Sequence, residues 1–280
     1  MPWELVLLLF FAAALHAAWN VLIKSESGDS SNTVMIIAGS AVIGVVFLPF
    51  VPLPLKECWP YLGASVVIHI FYFGILLMAY RKGDMSLVYP LMRGLPPMMT
   101  ALAASILFME SLSFTGWMGI ALVSLGALVL TADFSLSGKF QLAPVALAVL
   151  VALMIVLYTL VDAKGVRLSG HAFSYTGWML FLLALLLMAV MPFIEGRRVF
   201  PRILKNWKKS LIGGSLTFAS YGIALWVMTQ APIALVAALR ETSILFGTVF
   251  SSLILKERVT PVRVLSVILI VAGAIAIKIA

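Results

Sequence analysis

The chain of 280 residues holds a single cysteine, Cys58, and little charge: 11% of its residues are Asp, Glu, Lys or Arg. One cysteine excludes an intramolecular disulfide framework. Soluble domains are about 25% charged and roughly 45–50% apolar. A chain that is 63% hydrophobic and 11% charged could not cover a water-facing surface. Catalytic constellations are missing too. There is no HExxH, no Gly-x-Ser-x-Gly and no paired intramembrane aspartates, and the three histidines are isolated. An enzyme is therefore disfavoured, and neither a metal nor a cofactor is implied. With no nucleic-acid motif, the formal net charge of +8 reads as basic cytoplasmic loops rather than as a nucleic-acid partner.

What is present is apolar sequence, with a mean hydropathy of +1.13. A transmembrane helix needs roughly 20 mostly apolar residues. Charge clusters and Pro/Gly punctuation divide the chain into ten such spans: Trp3–Ile23, Thr33–Val51, Tyr61–Tyr80, Ser86–Met109, Ser113–Thr131, Leu142–Val161, Phe173–Ile194, Ser210–Thr229, Pro232–Leu255 and Thr260–Ile279. Continuous runs disfavour a β-barrel, whose segments would be short and alternating. The first run lacks a basic n-region and carries Glu4, so it reads as a retained span, not a secretory signal. The longest polar loop is EGRRVFPRILKNWKKS.

Thirteen Lys and Arg fall in loops after odd-numbered spans, and four fall on the opposite side. The positive-inside rule then puts both termini outside the cytoplasm, in a multi-pass protein of the cell (inner) membrane. The two remaining cations, Arg93 and Arg240, lie inside spans.

Those two arginines are 147 residues apart, as are Glu110 and Glu257, and Gly126 and Gly273. At that offset LMRGLPPMMTALAASILFMESLSFTGW lies over ALRETSILFGTVFSSLILKERVTPVRV. The chain therefore reads as a duplication, residues 1–133 and 142–280, with five spans in each copy. An odd number turns the second copy upside down in the bilayer, giving inverted repeats. The loops agree: Arg81-Lys82-Gly83-Asp84 becomes the uncharged Thr229-Gln230-Ala231-Pro232, and Glu110-Ser111-Leu112 becomes Glu257-Arg258-Val259.

Ten spans in two copies, each with a penultimate span ending in Glu (FMESLSFTGW, LKERVTPVRV) and a glycine in the next (SLGALVL, IVAGAIAI), resemble EamA-type members of the drug/metabolite transporter superfamily. The resemblance implies secondary transport of a small metabolite, often export of amino acids. It also implies a central cavity lined by spans 1, 3, 4, 6, 8 and 9 and walled by spans 5 and 10. The small multidrug-resistance relatives couple through a Glu in their first helix, where this chain offers His16, Trp19 and Asn20 instead.

An embedded arginine costs roughly 2.5–3.5 kcal/mol on insertion scales, so neither should face lipid. Each suits a substrate carboxylate, or else Arg93 forms a structural ion pair with Glu241 across the repeat interface. Pro96 and Pro97 cannot donate to the carbonyls of Met92 and Arg93, which predicts a broken fourth helix. On a continuous ninth helix, Arg240, Ser243, Gly247 and Ser251 would share a face. Glu241 is a candidate proton carrier, with His16 as a second, and Pro96 and Pro97 are candidate gating positions. Trp19, Asn20, His69, Tyr72, Tyr89, Tyr158, Tyr221 and Trp226 are candidate cavity residues, whereas Trp3, Trp59, Trp207, Tyr80 and the neighbourhood of Asp162 read as interfacial anchors.

These observations lead to an all-α integral membrane protein that moves small organic metabolites by alternating access, with amino acids bearing apolar or aromatic side chains as the leading substrates. Import or exchange of small organic anions, such as phosphorylated compounds, is the alternative. A small-molecule substrate, the lipid bilayer and protons as coupling ion are the expected partners, and the duplication suits a functional monomer.

Overall fold

The computed structural model describes residues 1–24, 30–132, 142–195, 199–254, 256 and 259–280. Every element among them is helical. In chain order these are α1 (Trp3–Lys24), α2 (Ser30–Phe47), α3 (Trp59–Lys82), α4 (Met85–Leu107), α5 (Phe114–Val129), α6 (Leu142–Leu168), α7 (Ala172–Glu195), α8 (Val199–Lys205), α9 (Trp207–Met228), α10 (Ile233–Arg240), α11 (Ser243–Ile254) and α12 (Pro261–Ile279). Among the described residues seven stretches are long and apolar enough to cross a membrane, one of them Ile233–Ile254, which comprises α10 and α11. The chain is a multi-pass membrane protein. Glu257 and Arg258 lie outside the described residues.

Helix starts follow local chemistry. Ser113 caps α5, its Oγ accepting from the amide of Gly116 at 3.1 Å. Thr260 caps α12 by accepting from the amide of Arg263 at 3.2 Å. Such caps satisfy amides that the first turn leaves without partners.

Packing depends on glycine at two crossings. A Cβ on Gly119 of α5 would meet the carbonyl oxygen of Gly273 on α12 at 2.8 Å, and one on Gly273 would meet that of Gly119 at 2.7 Å. Between α2 and α9, a Cβ on Gly214 would lie 2.2 Å from the carbonyl carbon of Gly39. Small residues let backbones touch where the apolar solvent supplies no hydrophobic drive.

Four expectations need correction. The break predicted for the fourth span is absent, since α4 runs from Met85 to Leu107 with Pro90, Pro96 and Pro97 inside it. The break lies instead in the ninth span, at Glu241 and Thr242 between α10 and α11. There the amides of Glu241 and Thr242 donate three residues back, to Ala238 and Leu239, and the Thr242 hydroxyl also donates to Leu239 at 2.6 Å. A β-branched residue whose hydroxyl binds a backbone carbonyl competes with the helical ladder. Finally, α6 continues seven residues past the expected Val161, which takes Asp162, Lys164 and Arg167 into the helix. The basic stretch read as one loop contains α8 and the start of α9.

Candidate functional site

Arg93 sits near the middle of α4, the helix that packs against α6, α5 and α10. It is buried, and its Nε lies 2.9 Å from Oε2 of Glu241 at the helix break. Neither atom makes an aligned hydrogen bond, so the contact is a charge pair without a well-aimed N–H. The Nη2 of Arg93 donates to Ser243 Oγ at 2.9 Å, at the first residue of α11. One guanidinium thus binds both sides of the break. The ion pair that the sequence offered as an alternative role for Arg93 is formed.

Arg240, the last residue of α10, is half-buried and points elsewhere. Its guanidinium lies over the ring of Tyr221 on α9, 5.2 Å from the centroid. Among the described residues no carboxylate lies within ion-pairing distance of it. Because the break falls between them, Arg240 and Ser243 do not continue one face, contrary to the expected stripe through Gly247 and Ser251.

Between these two arginines lies a cavity of about 10 Å³, the size of one water probe. Its lining comprises Arg93, Pro96, Pro97 and Thr100 from α4; Ile155, Tyr158 and Thr159 from α6; Ala237 and Arg240 from α10; and Glu241. The prolines are therefore wall, not breakpoint. The site is closed in this conformation.

Aromatic residues extend the wall. His69 of α3 stacks on Tyr158 with centroids 4.3 Å apart and meets the edges of Tyr72 and Tyr221 at 6.4 and 6.3 Å. Its Nδ1 lies 2.9 Å from the carbonyl of Ser65, so in the neutral ring Nδ1 holds the proton and donates it there. Tyr89 is half-buried one turn before Arg93. On α1, the Trp19 indole donates to His16 Nδ1 at 3.3 Å and the Asn20 amide donates to the His16 carbonyl at 2.7 Å. This trio does not line the small cavity.

Trp226 does not join the site. It is 38% exposed, because five residues at 100° each carry it well around α9 from Tyr221. Asp162, read as part of an interfacial neighbourhood, has no exposed surface at all. Its Oδ1 accepts from Tyr175 at 2.8 Å and its Oδ2 accepts from Tyr221. Its i, i+4 spacing to Tyr158 was the signal that could have placed it inside.

A second polar cluster ties the ends of α4, α6, α9 and α10. Glu110 accepts from the amides of Ile233 and Ala234 at 2.8 and 3.3 Å, capping α10. Arg167 donates to the carbonyls of Met228 and Ala231, at 2.9 and 3.3 Å, and lies 3.4 Å from Glu110. Among the described residues no group of His, Cys, Asp and Glu could hold a metal ion.

Comparison with known proteins adds two findings. The model of the EamA-like transporter family matches residues 142–279. One solved crystal structure superposes with a TM-score of 0.79 at 16% sequence identity, covering 100% of this chain and 98% of its own, which shows a shared fold. No curated protein matches the chain.

Proposed function

We propose that this chain, whose residues 142–279 match the model of the EamA-like transporter family, is a secondary transporter of that family that exports small organic metabolites by alternating access, amino acids with apolar or aromatic side chains first among them. The observation that carries this reading is the unequal state of the two embedded arginines. Arg93 has Glu241, whereas Arg240 is held over Tyr221 with no carboxylate among the described residues in ion-pairing distance. A guanidinium at a cavity wall is suited to a carboxylate in fork geometry. Arg240 binds the substrate carboxylate, and Tyr158, Tyr221, His69 and Tyr72 form a flat apolar wall for its side chain. Arg93 and Glu241 hold the helix break in place.

Ten spans in two inverted repeats, residues 1–133 and 142–280, are part of the same proposal. Three coincidences at the 147-residue offset support it. The helix caps Ser113 and Thr260 are equivalent, as are the two non-glycine residues with positive φ among the described residues, Met109 at 53° and Lys256 at 54°. The α5–α12 crossing reads the same from either side: Gly119 abuts Gly273, and their counterparts Ser266 and Gly126 abut each other, a Cβ on Gly126 falling 3.0 Å from the Ser266 carbonyl. Self-complementary contacts of this kind belong to a two-fold axis. The proposal places the protein in the cell inner membrane as a monomer with both termini outside.

Counterflow in proteoliposomes tests the reading. Vesicles loaded with L-phenylalanine should exchange it saturably with external label, and Arg240→Ala should slow exchange by about tenfold or more, the worth of one charge-assisted contact. Full exchange in that variant would make Arg240 structural. The free cation also admits a second substrate class. Exchange of small organic anions without exchange of amino acids would move the assignment to an anion exchanger or importer.

A further inference from the structure

Asp162 on α6 is a fully buried carboxylate with no cation among the described residues within ion-pairing distance. An ionised carboxylate inside a membrane protein is costly unless neutralised or fully hydrogen-bonded, and such residues concentrate in proton and ion pathways. Here both oxygens are engaged by phenols, and the two phenols are not alike.

Tyr175 of α7 has no exposed surface and is set in a slot left by Gly165, where a Cβ would fall 2.5 Å from its hydroxyl. Gly165 lies one turn from Asp162, so its missing side chain is what lets this donor reach the carboxylate. Tyr221 is half-buried and carries Arg240 on its ring. One donor is fixed in the protein interior, while the other reaches the substrate arginine. A carboxylate with one immovable partner and one that leads to the binding site can report its charge there.

We propose that Asp162 takes up one proton in each transport cycle and that Tyr221 transmits this change to Arg240. The coupling rests on the reading of Arg240 as the carboxylate subsite. With Asp162 ionised, its negative charge faces Arg240 through the Tyr221 side chain and offsets the guanidinium. With Asp162 protonated, that offset is gone, and the Tyr221 hydroxyl loses its ionic acceptor. Arg240 then holds an anionic group more tightly. Linkage is reciprocal, so a bound carboxylate favours the proton by the same factor. Proton and substrate travel in the same direction. A pH gradient pulls substrate toward the alkaline side, and export proceeds when the substrate gradient is the larger.

The groups facing Asp162 from the surrounding elements are His69 on α3, Tyr158 on α6, Tyr175 on α7 and Tyr221 on α9, with Arg240 on α10 acting on Tyr221 and Cys58 at the turn before α3 acting on Tyr175. Two alternative carriers are already committed. Glu241 is paired with Arg93, and Nδ1 of His69 is spent on Ser65.

Two measurements test the proposal, one of them independent of any substrate. In infrared difference spectra of the wild-type protein between alkaline and acidic pH, a protonated-carboxyl band should appear, vanish in Asp162→Asn and move in Asp162→Glu. The Glu variant secures the assignment if the Asn variant does not fold. A band unaltered in both variants, or no band, overturns the proton site. In proteoliposomes, an imposed gradient of one pH unit should drive wild-type accumulation of labelled L-phenylalanine up to about tenfold for one proton per substrate. Asp162→Asn should lose that accumulation while keeping counterflow at equal pH, and Asp162→Glu should restore it. Accumulation in the wild type that ignores the gradient, or accumulation retained by Asp162→Asn, overturns the coupling. A titrating Asp162 band in a protein that fails phenylalanine counterflow supports the proton site and removes the amino-acid reading instead.

Discussion

Where α4 ends, Glu110 and Arg167 stand 3.4 Å apart; beside the cavity, Glu241 and Arg93 stand 2.9 Å apart. The residue types are the same but their surroundings are opposed. Glu110 spends its carboxylate on two backbone amides and Arg167 spends its guanidinium on two backbone carbonyls, so the pair is largely a by-product of capping two helix ends. Beside the cavity the charge pair is made between side chains. Arg93 reaches the side chains of Glu241 and Ser243, and a second arginine lies over Tyr221. Charges at a helix end satisfy the fold, while charges at the cavity leave capacity for a ligand.

Removing one member of each pair should separate the two kinds of contact. The largest effect is expected for Arg93→Ala, which strands Glu241 in a buried setting and should cost about 3–5 kcal/mol, read as a lower unfolding midpoint in detergent. The double change Arg93→Met with Glu241→Leu should recover most of that loss, because an apolar pair of similar volume replaces a buried ionic one. If the double variant is no more stable than the single, the contact is not a desolvated pair. Next comes Glu110→Ala, which deprives two amides of their acceptor and should cost about 1–2 kcal/mol, with faster proteolysis near α10. An unchanged midpoint would mean that water replaces the cap. The smallest effect belongs to Arg167→Lys. It keeps the charge but loses the fork, and the partly exposed ion pair itself is worth about 1 kcal/mol or less. A loss as large as that of Arg93→Ala would erase the distinction between the two sites.

Much of this was legible in the sequence. The embedded arginines were conspicuous because charge is so rare in the chain, and a pair between Arg93 and Glu241 was one of the two roles the sequence left open for Arg93. The helix break was not legible. Prolines mark α4, which stays helical, whereas the break at Glu241–Thr242 has neither proline nor glycine and depends on a threonine hydroxyl and on Arg93 reaching across it. Asp162 was misjudged because its donors come from Tyr175, 13 positions away, and Tyr221, 59 positions away. Periodicity along one helix carries no information about such partners. Trp226 was misplaced for the opposite reason, since an aromatic residue close in sequence to Tyr221 was counted with it although the helix turns it outward.

The closed cavity also bears on pharmacology. With about 10 Å³ between the two arginines, the space there has no room for a drug-sized molecule, whose sites span roughly 300–1,000 Å³. A competitive inhibitor must therefore catch the protein in an open form and keep it there. Its potency will depend on how often the protein opens as well as on how well the inhibitor fits. Under the alternating access proposed above, compounds acting from the two faces of the membrane would trap different forms of one molecule, and neither should bind between the arginines while the cavity is closed.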